Sequence, residues 1–206
     1  MVGSSRELGP SRQNYNDWET VMSILFGPMI QQGYIVPDMD SALQHWIARG
    51  VGPFYLIAPF SLDALHYGTP TVCHMTAAFA CSGDQQIELI QPLSGSGPNI
   101  YDDFLGKHPE GGLQHLASWS DDVDSKLTQL TAAGIDYVLA QRYPGSHAYV
   151  DLRDSPGVMI QLMPMLQRYL DLYKVCQTEA AVWDGTTDPV RRLPETVRAA
   201  DWAHPV

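Results

Sequence analysis

The chain is short of basic residues, of paired cysteines and of long apolar runs, and each shortage argues against a class of function. Its 12 Lys and Arg stand against 23 Asp and Glu, a formal charge of -11. Nowhere do basic residues cluster with aromatics to offer phosphates a track, so nucleic acid is not an expected partner. Cys73, Cys81 and Cys176 are odd in number and form no CxxC pair. That argues against a disulfide framework and against a cysteine zinc site, leaving nitrogen and oxygen ligands for any metal. The polar start MVGSSRELGPSRQNYNDWE fits no signal peptide, and the apolar stretch Val21–Ile30 is short and broken by Gly27 and Pro28. Neither a leader nor a membrane span is expected, and the reading is of a cytoplasmic protein.

What is present is a length of 206 residues, 45% hydrophobic, which suffices for one well-buried core, and an internal repeat. At an offset of 84 residues, Gln31–Val51 aligns with His115–Ile135. Asp38 meets Asp122, Asp40 meets Asp124, Ser41 meets Ser125, Leu43 meets Leu127, Ala48 meets Ala132 and Gly50 meets Gly134. Each copy reads as an apolar strand, an acidic helix start, apolar residues at helical spacing and a terminating glycine. The first helix sets Met39, Leu43, Trp46 and Ile47 on one face, and the second sets Val123, Leu127 and Leu130. Strand-like runs follow at Phe54–Ala58, Val72–Ala80 and Gln86–Ile90, then at Tyr137–Ala140, Ala148–Leu152 and Val158–Leu162.

The expected architecture is therefore α+β, with two tandem βαβββ modules at residues 28–105 and 106–165 joined into a half-barrel cleft. Residues 1–27 form an N-terminal arm with a short helix around Trp18–Leu25. Residues 166–206 form a helix over Leu166–Trp183 and then an extended arm suited to packing or a dimer contact, with an active-site lid as the alternative.

If the copies are equivalent, Gln31 and His115 occupy one position, and Glu88 and Gln161 another, each a polar residue among aliphatics. Strand alternation puts Glu88 on a face with Gln86 and Ile90, while Ile87 and Leu89 face the helices. A buried carboxylate needs a cation or a donor, and a divalent ion held by imidazole nitrogen and side-chain oxygens would satisfy it. The ordinary role of a lone strand histidine is a core residue bonded to a carbonyl; the shared register of Gln31 and His115 is what argues for a site. For the two glutamines the plain alternative is a vestigial site with the amides paired to each other. His74 in its long strand is a candidate acid, base or donor, with a structural role beside it. The loop HYGTP, with His66 and Tyr67, is a candidate substrate contact. Trp46, Phe54, Tyr55, Tyr67, Phe79, Trp119 and Tyr149 read as core aromatics, with Trp119 and Tyr149 also candidates for lining the pocket. His45, His108 and His204 carry no signal.

The stretches GYIVPDMDSALQHW, GVGPFY, IELIQPL, DDFL, GGLQHLASWSDDVDS and AYVDL…GVMIQL, spread over Gly27–Pro164, resemble the vicinal oxygen chelate superfamily, particularly its glyoxalase-like and methylmalonyl-CoA epimerase-like members. The resemblance implies metal ligands at Gln31, Glu88, His115 and Gln161, with Zn, Mn, Co, Ni or Fe compatible and weak or absent loading allowed by two neutral amides. It implies Glu88 and Gln161 as the catalytic positions, a small-molecule substrate and a homodimer. Gln161 departs from the glutamate that glyoxalase I and the epimerases carry, and an amide cannot take up a proton, so either Glu88 or a metal-bound hydroxide inherits that task, or the chemistry is not α-proton transfer at all. The expected function is a metal-dependent lyase or isomerase acting through an enolate-like intermediate. A non-catalytic resistance-type binding protein of the same fold is the alternative. An extradiol dioxygenase is disfavoured, because of its two His and one Glu only the His is present.

Overall fold

The computed structural model describes residues 25–153, 157–193 and 204–205. The helix expected around Trp18–Leu25 falls almost wholly outside them. The elements are β1 (Met29–Ile35), α1 (Met39–Ile47), β2 (Phe54–His66), β3 (Thr69–Ser82), β4 (Gln85–Pro92), α2 (Ile100–Lys107), β5 (Gly112–Ser120), α3 (Val123–Ala132), β6 (Tyr137–Arg142), β7 (Ala148–Leu152), β8 (Met159–Pro164), α4 (Gln167–Ala180), β9 (Val190–Arg192) and β10 (His204–Pro205).

The local chemistry of the repeat is realised twice. Asp38 and Asp122 are both N-caps with nearly the same extended backbone, and each carboxylate accepts from the amide of the serine three residues on. Such a cap satisfies an otherwise orphaned helix donor and is worth about 1 kcal/mol. Gly50 and Gly134 follow the two helices with positive φ, 78° and 72°, a conformation that costs glycine nothing. Met39 and Leu43 of α1 are buried against Ile87 and Leu89, with Trp46 and Ile47 partly buried beside them. Val123 of α3 is buried against Ala148, Val150, Ile160 and Leu162, with Leu127 partly buried there.

All ten strands join one sheet. In the first unit β1 pairs parallel with β4, then β3 and β2 follow antiparallel; in the second, β5 pairs parallel with β8, then β7 and β6 follow. The units meet through antiparallel β1 and β5. Between the far strands, Leu65 and His66 of β2 pair with Arg142 and Gln141 of β6, so the expected half-barrel cleft is drawn together at one end. The helices α1 and α3 cover the outside, and α4 packs on β3 and β4. The expected C-terminal arm lies, where described, along β2 as β9 and β10. No helix among the described residues is long and apolar enough to cross a membrane.

Candidate active site

Strand alternation gives the sheet an inner face that lines a cavity open in part to solvent, with about 610 Å³ of space when the open mouth is included. Gln86, Glu88 and Ile90 line it from β4, as their register predicts, while Ile87 and Leu89 pack outward under α1. Gln31 from β1 and Gln161 from β8 line it too, and His115 of β5 lies directly beside them, wholly buried. The seam between β1 and β5 explains the arrangement. Gln31 is paired across it with Ala117, and His115 with Gly33. Gly33 in turn neighbours Glu88, and Ala117 neighbours Gln161. The imidazole lies over Gly33 so closely that a Cβ there would come within 1.9 Å of Cε1. The ring's place thus depends on glycine at residue 33.

His115 Nε2 is 3.1 Å from Glu88 Oε2, and Nδ1 is 3.1 Å from Gln114 Oε1. The amide nitrogen of Gln114 donates to the Ile100 carbonyl at 2.9 Å, so its oxygen faces the ring and Nδ1 must carry a hydrogen. One further proton then lies between Nε2 and the Glu88 carboxyl, held by one or the other. Gln31 Nε2 donates to Gln86 Oε1 at 2.7 Å, and Gln161 Nε2 to the Tyr149 hydroxyl at 2.9 Å. The Oε1 atoms of both Gln31 and Gln161 are buried without a hydrogen-bond partner, a costly condition for a polar group unless something else engages it.

A second chain of hydrogen bonds reaches the cavity from Ile100, the first residue of α2. Its amide donates to Gln141 Oε1 at 3.1 Å, which leaves Gln141 Nε2 to donate to Tyr143 Oη at 2.6 Å. Tyr143 then donates to Tyr101 at 3.0 Å, and Tyr101 to Tyr149 at 3.1 Å. Burial raises the pKa of all three phenols, so they stay neutral. Tyr149 therefore accepts from Tyr101 and from Gln161 and has its own hydrogen free for the cavity it lines. His147, also on the wall, has its pKa lowered to about 3, chiefly by burial and then by the nearby His115, and is a neutral imidazole at ordinary pH.

Four sequence-selected residues, Gln31, Glu88, Gln161 and Tyr149, line one cavity, and His115 is bonded to Glu88. The remaining candidates for substrate contact, His74, Tyr67 and Trp119, do not line this cavity. His74 lies between Cys73 and Met75, which pack in the interior core, so alternation turns it outward, where its amide meets Ser96. Tyr67 is half exposed at a two-residue hairpin, with φ 46° followed by Gly68 at 82°, so HYGTP is a tight turn between β2 and β3. Trp119 shares the His115 face but lies beyond the cavity, edge-on to Tyr173 of α4 at 5.9 Å. Helix α2 was not expected from the sequence, nor were Gln114, Gln141, Tyr101 and Tyr143. The signal available for α2 was Asn99 followed by two acidic residues, since Asn99 caps the amides of Tyr101 and Asp102. Among the described residues no group of three or more His, Cys, Asp or Glu is placed to hold an ion; the donor set here relies on amides.

Residues 30–150 match the profile of the Glyoxalase/Bleomycin resistance protein/Dioxygenase superfamily. Two similar solved structures are a methylmalonyl-CoA epimerase from Mycobacterium tuberculosis, 18% identical over 74% of this chain and 98% of that one, and a hypothetical protein from Bacillus halodurans, 19% identical over 68% and 94%. Both have a TM-score of 0.50, and at such identity the likeness concerns the fold. A comparison with curated proteins returns no match.

Proposed function

Because the chain belongs to the Glyoxalase/Bleomycin resistance protein/Dioxygenase superfamily, we propose that it is a lyase or isomerase that moves a proton next to a carbonyl on a small substrate bearing adjacent oxygens. The observation that carries this reading is the buried Glu88–His115 pair at 3.1 Å, whose imidazole is locked by Gln114 with a hydrogen on Nδ1. With the shared proton on His115, Glu88 is a carboxylate on the cavity wall and takes the proton from the substrate carbon. The electrons left behind move onto the carbonyl oxygen as an enolate. Tyr149 stabilises that oxygen with its free hydrogen, and Gln161 holds Tyr149 in place. Return of the proton to the same carbon completes an epimerisation; return to the former carbonyl carbon, with the adjacent substrate hydroxyl passing its own proton to the enolate oxygen, completes an isomerisation. In this reading Gln161 acts by orientation, since an amide exchanges no proton at useful pH.

The residues suit a divalent ion in one respect that bears directly on the family: two buried amide oxygens, on Gln31 and Gln161, have no partner. They would hold it together with Glu88 and His115, the latter exchanging a hydrogen bond for coordination. When bound, such an ion would polarise the substrate carbonyl and acidify the adjacent C–H. A non-catalytic binding role is favoured by one observation, the pairing of the Gln31 amide with Gln86 inside the cavity.

The test is hydrogen exchange in D2O followed by proton NMR, with hydroxyacetone and 2-hydroxyacetophenone as probes. The wild-type protein is expected to wash out the protons next to the carbonyl, and Glu88→Gln to lose at least about 100-fold of that rate while remaining folded. No exchange above the buffer rate with either probe overturns catalysis in favour of binding. Elemental analysis of the purified protein addresses the ion, and an unchanged metal content in the Glu88→Gln, His115→Ala double variant removes that part of the proposal.

A further inference from the structure

The cavity's two sides differ in chemistry. Its polar groups come from β1, β4, β7 and β8, from His147 just before β7, and from Tyr101 of α2 and Tyr169 of α4, whereas the wall formed by β2 and β3 contributes Ile57, Phe60, Leu62, Met75, Ala77 and Phe79 without one polar side chain. The sequence achieves this by a register shift. Ile57 and Phe60 are three residues apart yet both face inward, because β2 is irregular between them. An unbroken alternation would have presented Pro59 and Ser61 instead. From the top, α4 adds Leu172. Among the described residues no Lys or Arg lines the cavity, and Glu88 is the one acidic residue there.

We propose that this site takes a substrate with an uncharged, apolar body, aryl or branched alkyl, attached to the oxygenated end that reacts, and that the β2–β3 wall is the element that selects it. This rests on the cavity being the substrate site of the preceding section. A carboxylate or phosphate on the body would be buried against apolar carbon with no Lys or Arg among the described lining residues to meet it, and would lie near the Glu88 carboxylate, whose cross-strand partner is Phe79 of that wall, an arrangement whose desolvation cost is large. His147 offers no relief, because burial keeps it uncharged. An apolar body instead exchanges water for the side chains of the wall, and its binding strengthens with the area covered.

Isothermal titration calorimetry with three probes of one head group separates the possibilities: hydroxyacetone, which lacks a body; 2-hydroxyacetophenone, which has an aryl body; and 4-(2-hydroxyacetyl)benzoate, whose body carries a carboxylate. The expected order is 2-hydroxyacetophenone at least tenfold tighter than hydroxyacetone, with the added carboxylate cancelling that gain. Leu62→Lys, at a partly buried position of the wall, is expected to weaken the neutral aryl probe and strengthen the carboxylate one. Equal or tighter binding of the benzoate by the wild-type protein overturns the proposal, as does equal binding of hydroxyacetone or no measurable binding of any probe. The wild-type order decides even if the variant does not fold. Repeating the titrations with Glu88→Gln keeps the two readings apart: the same order without hydrogen exchange in the wild type sinks only the proton-transfer chemistry, and exchange with the order reversed sinks only the selectivity.

Discussion

The first and second β-α-β-β-β units follow the same path and cap their helices with the same aspartate geometry, yet they furnish the cavity in opposite ways. The first, with long β2 and β3, supplies an apolar wall and the one carboxylate among the described lining residues; the second, with β6 and β7 less than half as long, supplies His115, His147 and, from the tyrosine chain, Tyr143 and Tyr149, with Tyr101 of α2 between them. The divergence is sharpest at the seam. Gln31 sits opposite Ala117, while its counterpart His115 sits opposite Gly33. Gln31 finds an amide partner in Gln86, whereas the residue paired with His115 on the parallel side is Met159, and the imidazole turns to Glu88 instead. A duplicated fold thus provides two equivalent places, and small differences beside each decide which becomes an amide and which a proton carrier.

That asymmetry can be broken most directly at residue 33. Gly33→Ala drives a Cβ into the His115 ring and is expected to cost about 3 kcal/mol or more, or to prevent folding. The mirror change, Ala117→Gly, should cost only about 1 kcal/mol; equal urea midpoints for the two would show that the seam is symmetric after all. Next in size is Tyr149→Phe in the second unit, which strands the Tyr101 hydroxyl and the Gln161 amide. About 2 to 3 kcal/mol of stability should go, and the exchange rate of the D2O assay should fall about 100-fold. A stable variant with full activity would remove Tyr149 from the reaction.

A third effect depends on pH. His147 is neutral when folded, with a pKa near 3, and has an ordinary value of 6.5 once unfolded. The unfolded chain therefore binds the extra proton, so the contribution is complete above pH 6.5 and is lost as the pH falls toward 3. By pH 5 the loss should be about 2 kcal/mol, and His147→Gln should flatten the curve of Tm against pH in that window; an unaltered slope would contradict a buried neutral imidazole. The smallest effect belongs to Asn99→Ala, which removes the cap of α2 and should cost about 1 kcal/mol. It should also slow hydrogen exchange, because Ile100 orients both Gln114 and Gln141. Lowered stability at unchanged activity would separate the cap from the site.

Much of this was legible in the chain because it rests on short-range rules. Period-two alternation around Glu88 separated Gln86 and Ile90 from Ile87 and Leu89, and the 84-residue repeat brought Gln31 and His115 to matching places. What escaped was set by distant partners. His74 and Trp119 differ from lining residues only in which way a long strand is turned and where α4 lands. The pairing of β2 with β6 depends on strand lengths and curvature that no local pattern encodes. Gln114 and Gln141 are ordinary polar residues of their strands until α2 brings one peptide between them.

That peptide has an uncommon property. Because Ile100 acts through its main-chain N–H and C=O, replacing its side chain leaves both groups untouched, and no choice of amino acid other than proline removes the donor. The direction in which hydrogens point along two separate wires is therefore inherited from the place where a helix begins. A change of side chain there costs packing, since Ile100 is fully buried in the core, but should leave the direction of both wires unaltered, while an insertion or deletion in the preceding turn would reverse or scramble both wires at once.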